Sequence, residues 1–103
     1  MKRKLPSLNA LKAFEAVAHT HSFTIAAEQL QVTQSAVSRQ VKHLEDTLGV
    51  CLIDRKHHKL TLTDAGRSLV PVLKQSFDKI DMAVRGITEQ QKRRAAKEPC
   101  KVI

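Results

Sequence analysis

Only three residues, 31–33, separate two helical patterns in this chain, which cover residues 23–30 and 34–48. Thr33, the last of the three, is a residue type whose side-chain oxygen accepts a hydrogen bond from a free amide at a helix start. Gly49 is the residue type that most often ends a helix in the left-handed conformation. Two helices joined by so short a connection predict a helix-turn-helix.

A further helix precedes this pair. Ser7 is a favourable residue at a helix start, and the helical pattern ends at residues 19–21. Ser22 then opens the second helix, whose Ala26 and Ala27 allow a neighbouring helix to approach closely. The apolar residues of the first helix recur at helical spacing at Leu8, Leu11, Phe14, Val17 and Ala18. The sequence therefore predicts three packed helices.

The third helix has an apolar stripe. Four apolar residues lie within about 60° of one another at about 100° per residue, which predicts that they are buried together. They are Val37, Val41, Leu44 and Leu48. The opposite face is then free for a partner.

That opposite face carries groups that bind DNA. Ser and Gln exchange hydrogen bonds with base edges, Arg binds guanine through two hydrogen bonds, and Lys neutralises phosphate. The helix N-terminus also favours phosphate, because its amides are free and its dipole is positive there. For a lone helix, an ordinary solvated face is the alternative interpretation. The candidate DNA-binding residues are Thr33, Gln34, Ser35, Ser38, Arg39 and Lys42.

A short hairpin follows the third helix. Residues 50–55 and 60–62 predict two strands, joined by a polar tip at residues 56–59. Because the tip has no apolar residue to bury, it projects into solvent or onto a phosphate backbone. Its adjacent histidines lack Cys or carboxylate partners, so a solvated tip is favoured over a metal site. The candidate DNA-binding residues here are Arg55, Lys56, His57, His58 and Lys59.

A long helix is predicted from residues 63–64, where a capping Thr precedes an acidic first-turn residue. Six apolar residues then step by four or three, which is typical of a coiled-coil seam. We expect dimerisation through this seam, because the other helices are already paired; packing on its own domain is the alternative. Pro71 predicts a kink near residues 67–68 or a locally disturbed turn. The seam residues are Leu69, Leu73, Phe77, Ile80, Val84 and Ile87.

Composition narrows the possible functions. The 103 residues fit one domain, and 18 Lys and Arg against 10 Asp and Glu give a net charge of +8, which favours nucleic acid as a partner. Residues 1–62 and 63–103 each carry 9 basic and 5 acidic groups, so the charge is not confined to a tail. A cationic protein without a nucleic-acid role is the alternative.

Other classes of function find little support. Cys51 and Cys100 form neither a zinc motif nor a disulfide framework, which fits a reducing cytoplasm. No apolar run approaches the roughly 18 residues of a membrane span. A basic amphipathic helix at residues 69–97 could lie on a membrane surface, but its narrow apolar side without Trp suits a partner helix better. No nucleophile with a placed base, carboxylate pair or phosphate-binding loop indicates an enzyme, and no cofactor is implied.

Several segments together resemble the LysR-type transcriptional regulators, over most of residues 5–90. The matching segments are Leu11 and Phe14, Ser22-Phe23-Thr24-x-Ala26-Ala27, Thr33-Gln34-Ser35-Ala36-Val37-Ser38-Arg39-Gln40-Val41, Leu44-Glu45, Leu48-Gly49 and Leu62-Thr63-x-Ala65-Gly66. Two positions depart from the family pattern: His21 stands where the family usually has Gly, and Ile53 where it usually has Phe.

The resemblance implies a mainly α-helical fold: a winged helix-turn-helix of three helices and a two-stranded wing, followed by a long dimerisation helix. It also implies that the reading helix is the third helix and that the wing comprises residues 55–59. We expect a DNA-binding domain at 5–63, a linker helix at 64–91, and a hinge at 92–103 leading into an effector domain that this chain lacks. Small-molecule sensing is expected only in that domain.

The expected function is sequence-specific binding of double-stranded DNA by a homodimer, with tetramers in the full-length protein. Helices 34–48 of the two copies would enter major grooves of a partly symmetric promoter site. The expected location is the cytoplasm, with binding to the bacterial nucleoid through DNA. A protein-interaction or assembly module with a merely soluble basic face is the second hypothesis, and salt-insensitive or absent DNA binding would favour it.

Overall fold

The computed structural model describes residues 5–56 and 59–95. The elements in chain order are α1 (Leu8–Thr20), α2 (Phe23–Leu30), α3 (Gln34–Leu48), β1 (Ile53–Asp54), β2 (Thr61–Leu62) and α4 (Asp64–Ala95). The predicted fold, three helices with a two-stranded wing and a long following helix, is confirmed. The chain divides into two compact units, one up to Leu73 and the other from Lys74 onward.

The first three helices begin where the sequence predicts, because a hydroxyl side chain caps each of them. In every case the hydroxyl oxygen accepts a hydrogen bond from the backbone amide three residues later, which satisfies one of the free amides of the first turn. The pairs are Ser7 with the Ala10 amide at 3.4 Å, Ser22 with the Ile25 amide at 3.1 Å, and Thr33 with the Ala36 amide at 3.1 Å.

The ends of the same helices are left-handed. His21, Gln31 and Gly49 have φ angles of 55°, 58° and 73°. Each donates its backbone amide to a carbonyl of the preceding helix, as a C-terminal cap requires. His21 thus occupies a conformation that glycine adopts without steric cost, which explains physically why a glycine suits this position in related sequences.

The core lies where α1, α2 and α3 pack against one another. Phe14 and Leu44 are fully buried, and Val37 and Val41 of the predicted stripe are buried with them. Leu48, the fourth member of that stripe, was predicted to be buried and is 42% exposed. That prediction was wrong because Leu48 is the last residue of α3, and the chain turns away at Gly49.

The wing has shorter strands than the sequence predicts. β1 and β2 are two residues each and pair antiparallel, with Ile53 opposite Leu62 and Asp54 opposite Thr61. Before β1, the chain is held by Thr63 instead of a longer ladder: the Thr63 hydroxyl donates to the Cys51 carbonyl at 2.6 Å, and the Thr63 amide donates to the Leu52 carbonyl at 3.0 Å. One side-chain and one backbone hydrogen bond of Thr63 therefore replace part of the expected strand pairing.

The first turn of α4 lies directly against the wing. Thr63 caps it, because the Thr63 hydroxyl oxygen accepts from the Gly66 amide at 3.2 Å. A Cβ atom at Gly66 would lie 2.3 Å from the Leu52 carbonyl oxygen, so only glycine fits there. The same carbonyl accepts the Thr63 amide, so Leu52 and Gly66 fix the start of α4 on the wing.

The seam of α4 differs along its length. Leu73 is buried and Leu69 is half-buried, so the packing alternative holds for the beginning of the seam. Phe77 is also half-buried. The last three seam residues, Ile80, Val84 and Ile87, are 57%, 54% and 66% exposed. The helix is continuous through Pro71, and the kink expected near residues 67–68 stays a prediction.

The close approach at Gly66 gives a test with a matched control. We expect Gly66→Ala to lower the free energy of unfolding by about 1–3 kcal/mol, because the added methyl group overlaps the Leu52 carbonyl. Gly86→Ala introduces the same group in the same helix with nothing within 4 Å, and it is expected to raise stability by about 0.5–1 kcal/mol. Urea denaturation followed by circular dichroism measures both; equal effects would contradict the contact.

Candidate nucleic-acid interface

The predicted polar face of α3 is assembled as one surface. The five residues that form it line a single shallow depression, and all are exposed except Ser38, which is half-buried. We call this surface the reading face; its residues are Gln34, Ser35, Ser38, Arg39 and Lys42. It presents a flexible amide, two hydroxyls, a guanidinium and an ammonium group side by side. Such a set donates to base edges and to phosphates alike.

The N-terminal end of the reading face is ordered by two hydroxyl groups. The Thr33 hydroxyl, which caps α3, lies 3.3 Å from the Ser35 hydroxyl. The Thr24 hydroxyl donates to the Gln34 side-chain oxygen at 3.3 Å, which leaves the two N–H donors of that amide available. Sequence reasoning named no site residue on α2 and missed Thr24. The Ser22-Phe23-Thr24 segment was the available signal, since it places a hydroxyl in the first turn of α2.

A second depression joins α3 to the wing. Ser38 and Lys42 of the reading face contribute to it, and so does Arg55 from the wing. The remaining lining residues come from the end of α3 and the chain that follows it: Glu45, Asp46, Gly49, Val50 and Cys51. The structure therefore brings the wing arginine and the reading face to one continuous concave surface, although they are distant in sequence.

Glu45 attaches the wing to α3. Its carboxylate oxygen Oε2 accepts the backbone amide of Leu52 at 2.7 Å and that of Ile53 at 3.2 Å. Hydrogen bonds to a charged acceptor are stronger than neutral ones, and these two bind the amides of the residue before β1 and of the first residue of β1. In the sequence, Glu45 stood out only as part of a family motif. Its role depends on a contact across seven and eight positions, which no helical periodicity reveals.

Within the wing, local hydrogen bonds shape the turn. The Asp54 carboxylate accepts the Lys56 amide at 2.9 Å, and the Lys59 amide donates to the Lys56 carbonyl at 3.4 Å. Arg55, Lys56 and Lys59 are all exposed. The candidate residues His57 and His58 lie outside the described residues.

Arg55 is also held by an aromatic ring. Its guanidinium carbon lies 4.5 Å from the centre of the Phe23 ring, within the range of a cation–π interaction. Phe23 is the first residue of α2, so this contact joins the wing to the helix-turn-helix.

Residues 5–56 and 59–95 contain neither a metal-binding cluster nor a membrane-spanning helix. No group of three His, Cys, Asp or Glu side chains in these ranges is arranged to hold a metal ion. None of the helices described above combines the length and apolarity needed to cross a lipid bilayer.

The arrangement defines a class of protein. A helix-turn-helix whose second helix presents amide, hydroxyl and cationic groups beside a basic wing is a DNA-binding domain of the winged helix-turn-helix type. The chain matches the family described as "Bacterial regulatory helix-turn-helix protein, lysR family" over residues 8–67. The chain belongs to the LysR family of bacterial transcriptional regulators, and the resemblance drawn from its sequence is confirmed.

Individual relatives agree with this assignment. The chain is 46% identical over 99 residues to the HTH-type transcriptional regulator TrpI of Pseudomonas aeruginosa, covering 96% of this chain and 32% of that protein. It is 60% identical over 73 residues to the HTH-type transcriptional activator AmpR of the same species, covering 71% and 25%. It therefore spans about a third or less of the length of these relatives. Both are named as transcriptional regulators, and neither as an enzyme.

A solved structure with DNA is also similar. The BenM DNA-binding domain in a complex with catB site 1 DNA matches 90% of this chain and 99% of its own length. The TM-score is 0.73 at 29% sequence identity. The similarity supports double-stranded DNA as the partner of this fold.

Substitutions at Glu45 and at the neighbouring Asp46 test the contact between Glu45 and the wing. We expect Glu45→Gln to lower the free energy of unfolding by about 1–2 kcal/mol, because the amides of Leu52 and Ile53 lose a charged acceptor. Amide hydrogen exchange measured by NMR is expected to accelerate at both residues. Asp46→Asn removes the same charge from the exposed side of α3 and is expected to change stability by less than about 0.5 kcal/mol. Unaltered exchange at residues 52 and 53 in the Glu45 variant would contradict the attachment.

Proposed function

We propose that this chain recognises a specific double-stranded DNA sequence as a homodimer, with the reading face of each α3 in a major groove. The observation that carries the proposal is that all five reading-face residues line one depression on the exposed side of α3. The major groove admits an α-helix, and base edges there display distinct patterns of donors and acceptors. A face that offers amide, hydroxyl and guanidinium groups together suits such a surface.

The reading-face residues have different proposed roles. Arg39 binds a guanine edge through two hydrogen bonds, while Gln34, Ser35 and Ser38 bind base edges or nearby phosphates. Lys42 neutralises a phosphate, which adds affinity without selecting a sequence. Thr33 brings the start of α3, with its free amides, toward the DNA backbone.

The wing is proposed to contact DNA beside the groove that α3 occupies. Arg55 shares a concave surface with Ser38 and Lys42, so a duplex held by α3 passes close to the wing. The basic wing residues then meet the flanking backbone or minor groove. The proposed contacts are Arg55, Lys56, His57, His58 and Lys59.

Dimerisation is proposed to occur through the seam of α4. Ile80, Val84 and Ile87 expose apolar side chains on one side of this helix. The same seam of a second copy offers a complementary surface, because apolar residues spaced by four and three pack as in a coiled coil. Of the earlier seam positions, the half-buried Phe77 continues this surface, whereas Leu69 and Leu73 are largely covered within the chain itself. Two reading faces joined in this way fit half-sites separated by one helical turn, about 10 base pairs, or a multiple of it.

The wider organisation follows the family. We propose a DNA-binding domain at 5–63, a linker helix at 64–91, and a hinge at 92–103, although helix α4 itself extends to Ala95. Binding of a small-molecule effector and assembly of a tetramer at a partly symmetric promoter site are proposed only for a full-length regulator of this family that carries an effector domain. The protein acts in the bacterial cytoplasm, at the nucleoid. Structure beyond residue 95 lies outside the described residues.

Two substitutions on the reading face are expected to have different effects. Arg39→Ala is expected to cost about 1–3 kcal/mol of binding free energy at one base position and to relax the preference there. Lys42→Ala is expected to weaken binding to all sequences alike and to reduce the salt dependence of affinity by about one phosphate contact. Selection of bound duplexes from random DNA, followed by titration at several salt concentrations, measures both.

Lys79→Ala is the control for these variants, because it removes one exposed charge from α4 without altering α3. We expect it to keep the selected sequence preference. An unchanged preference in Arg39→Ala would reject the assigned role of that residue. Salt-insensitive binding by the unaltered chain would favour the protein-interaction hypothesis.

Dimerisation is tested by placing the same charge on two sides of α4. Val84→Glu would bury an unpaired carboxylate in each chain, so dimer affinity is expected to fall on the order of a hundredfold or more. Met82→Glu lies on the opposite side of the helix at a position that is 70% exposed, and it is expected to leave the dimer intact. Sedimentation equilibrium measures both dissociation constants. An equally stable dimer in both variants would exclude the seam as the interface.

A further inference from the structure

Arg55 occupies a position where its side chain would ordinarily be free to move. The residue is exposed and directly follows the two-residue strand β1. Ordering a long, rotamer-rich side chain costs conformational entropy, and an arginine that binds DNA must meet that cost on binding unless the free protein already restrains it. The restraint on Arg55 in this chain is the Phe23 ring, whose centre lies 4.5 Å from the guanidinium carbon.

Both partners of this contact are anchored through their backbones. Phe23 begins α2, and the preceding Ser22 caps that helix through the Ile25 amide at 3.1 Å. On the other side, the Ile53 amide is bound by the Glu45 carboxylate, two positions before Arg55. The half-buried ring is therefore a fixed platform, and the guanidinium reaches it from a strand that is itself attached to α3.

Two of the carboxylates near Arg55 bind backbone amides, and the third, the exposed Asp46, lines the same depression without forming an ion pair with Arg55. Asp54 accepts the Lys56 amide, and Glu45 accepts the two amides at the start of the wing. Within the described residues, the ion pairs are Arg67 with Asp64 and Arg85 with Asp81, so neither involves Arg55. An aromatic face attracts a guanidinium without neutralising its charge. The ring lies against the guanidinium carbon, and within the described residues no ion pair engages this group, so its N–H donors remain available to an anion.

We propose that Phe23 is a positioning residue for DNA binding: its ring holds the Arg55 guanidinium, charged and with free donors, at the concave surface shared by the wing and α3. The inference rests on the proposed function, in which Arg55 contacts the DNA beside the groove occupied by α3. Phe23 itself touches no DNA in this account. Its ring restrains Arg55 in the free protein, so Arg55 loses less conformational entropy on binding DNA. The same contact links the wing to the helix-turn-helix.

The test is a double-mutant cycle with the full 103-residue chain and a duplex that the unaltered protein selects from random DNA. Phe23→Leu removes the ring and is expected to weaken binding about 2- to 5-fold, the range of an exposed cation–π contact. Phe23→Tyr keeps the ring and is expected to bind within about 2-fold of the unaltered chain. In the Arg55→Ala background, Phe23→Leu is expected to have no further effect, because the group it positions is gone.

Hydroxyl-radical footprinting separates positioning from a general loss of structure. Phe23→Leu is expected to weaken protection at the flank contacted by the wing while leaving the sequence preference set by α3 unchanged. Urea denaturation checks each variant; if Phe23→Leu is not folded, Phe23→Met, which fills a similar volume without a ring, replaces it.

The Arg55→Ala and Phe23 variants separate a failure of the proposed wing contact from a failure of the positioning role of Phe23. If Arg55→Ala binds as tightly as the unaltered chain, the wing contact itself is rejected. If Arg55→Ala weakens binding but Phe23→Leu lowers affinity equally in both backgrounds, or Phe23→Tyr fails to restore it, the positioning role of Phe23 is overturned.

Discussion

The close packing of α1, α2 and α3 through small side chains is the constraint on which the rest of this structure depends. Six alanines, each no more than 6% exposed, lie in the core beside a few large apolar residues such as Phe14 and Leu44. Because methyl side chains allow helix axes to approach closely, three short helices form a core without a large sheet. Only a rigid base of this kind fixes the direction in which the outer face of α3 points. The six alanines are Ala10, Ala13, Ala16, Ala18, Ala26 and Ala27.

The two strands of the wing are short, and the wing is held through the buried side chains of Leu52 and Ile53 together with a few polar contacts. Glu45 binds its entry, Thr63 binds the chain before β1, and the close approach of Gly66 sets α4 against the Leu52 carbonyl. Helix α3, the wing and the first turn of α4 are thus held together by separate contacts, and the basic surface formed by α3 and the wing depends on them.

Much of the fold was predictable because it depends on interactions between residues close in sequence. Most features that were missed depend on contacts between residues distant in sequence. The caps at Ser22 and Thr33 lie beside the helices they start, so the sequence alone reveals them. The polar side of α3 follows from its periodicity. Burial of Leu48 was wrongly predicted because periodicity does not show that the stripe is uncovered at the last residue of α3. The pairs Thr24 with Gln34 and Phe23 with Arg55 arise from tertiary packing, which no pattern within one helix encodes.

The hydrogen bonds of Glu45 to the wing affect which side-chain substitutions the domain can tolerate. Its carboxylate binds the main chain of residues 52 and 53 and makes no use of their side chains for those bonds. Every residue except proline supplies the same amide, so the attachment survives replacement of one apolar side chain by another, as at Ile53 in place of the phenylalanine typical of related sequences. The attachment of the hairpin therefore does not depend on its exposed side chains: the main chain at residues 52 and 53 stays bound to α3 whichever residues stand at positions 55 and 56.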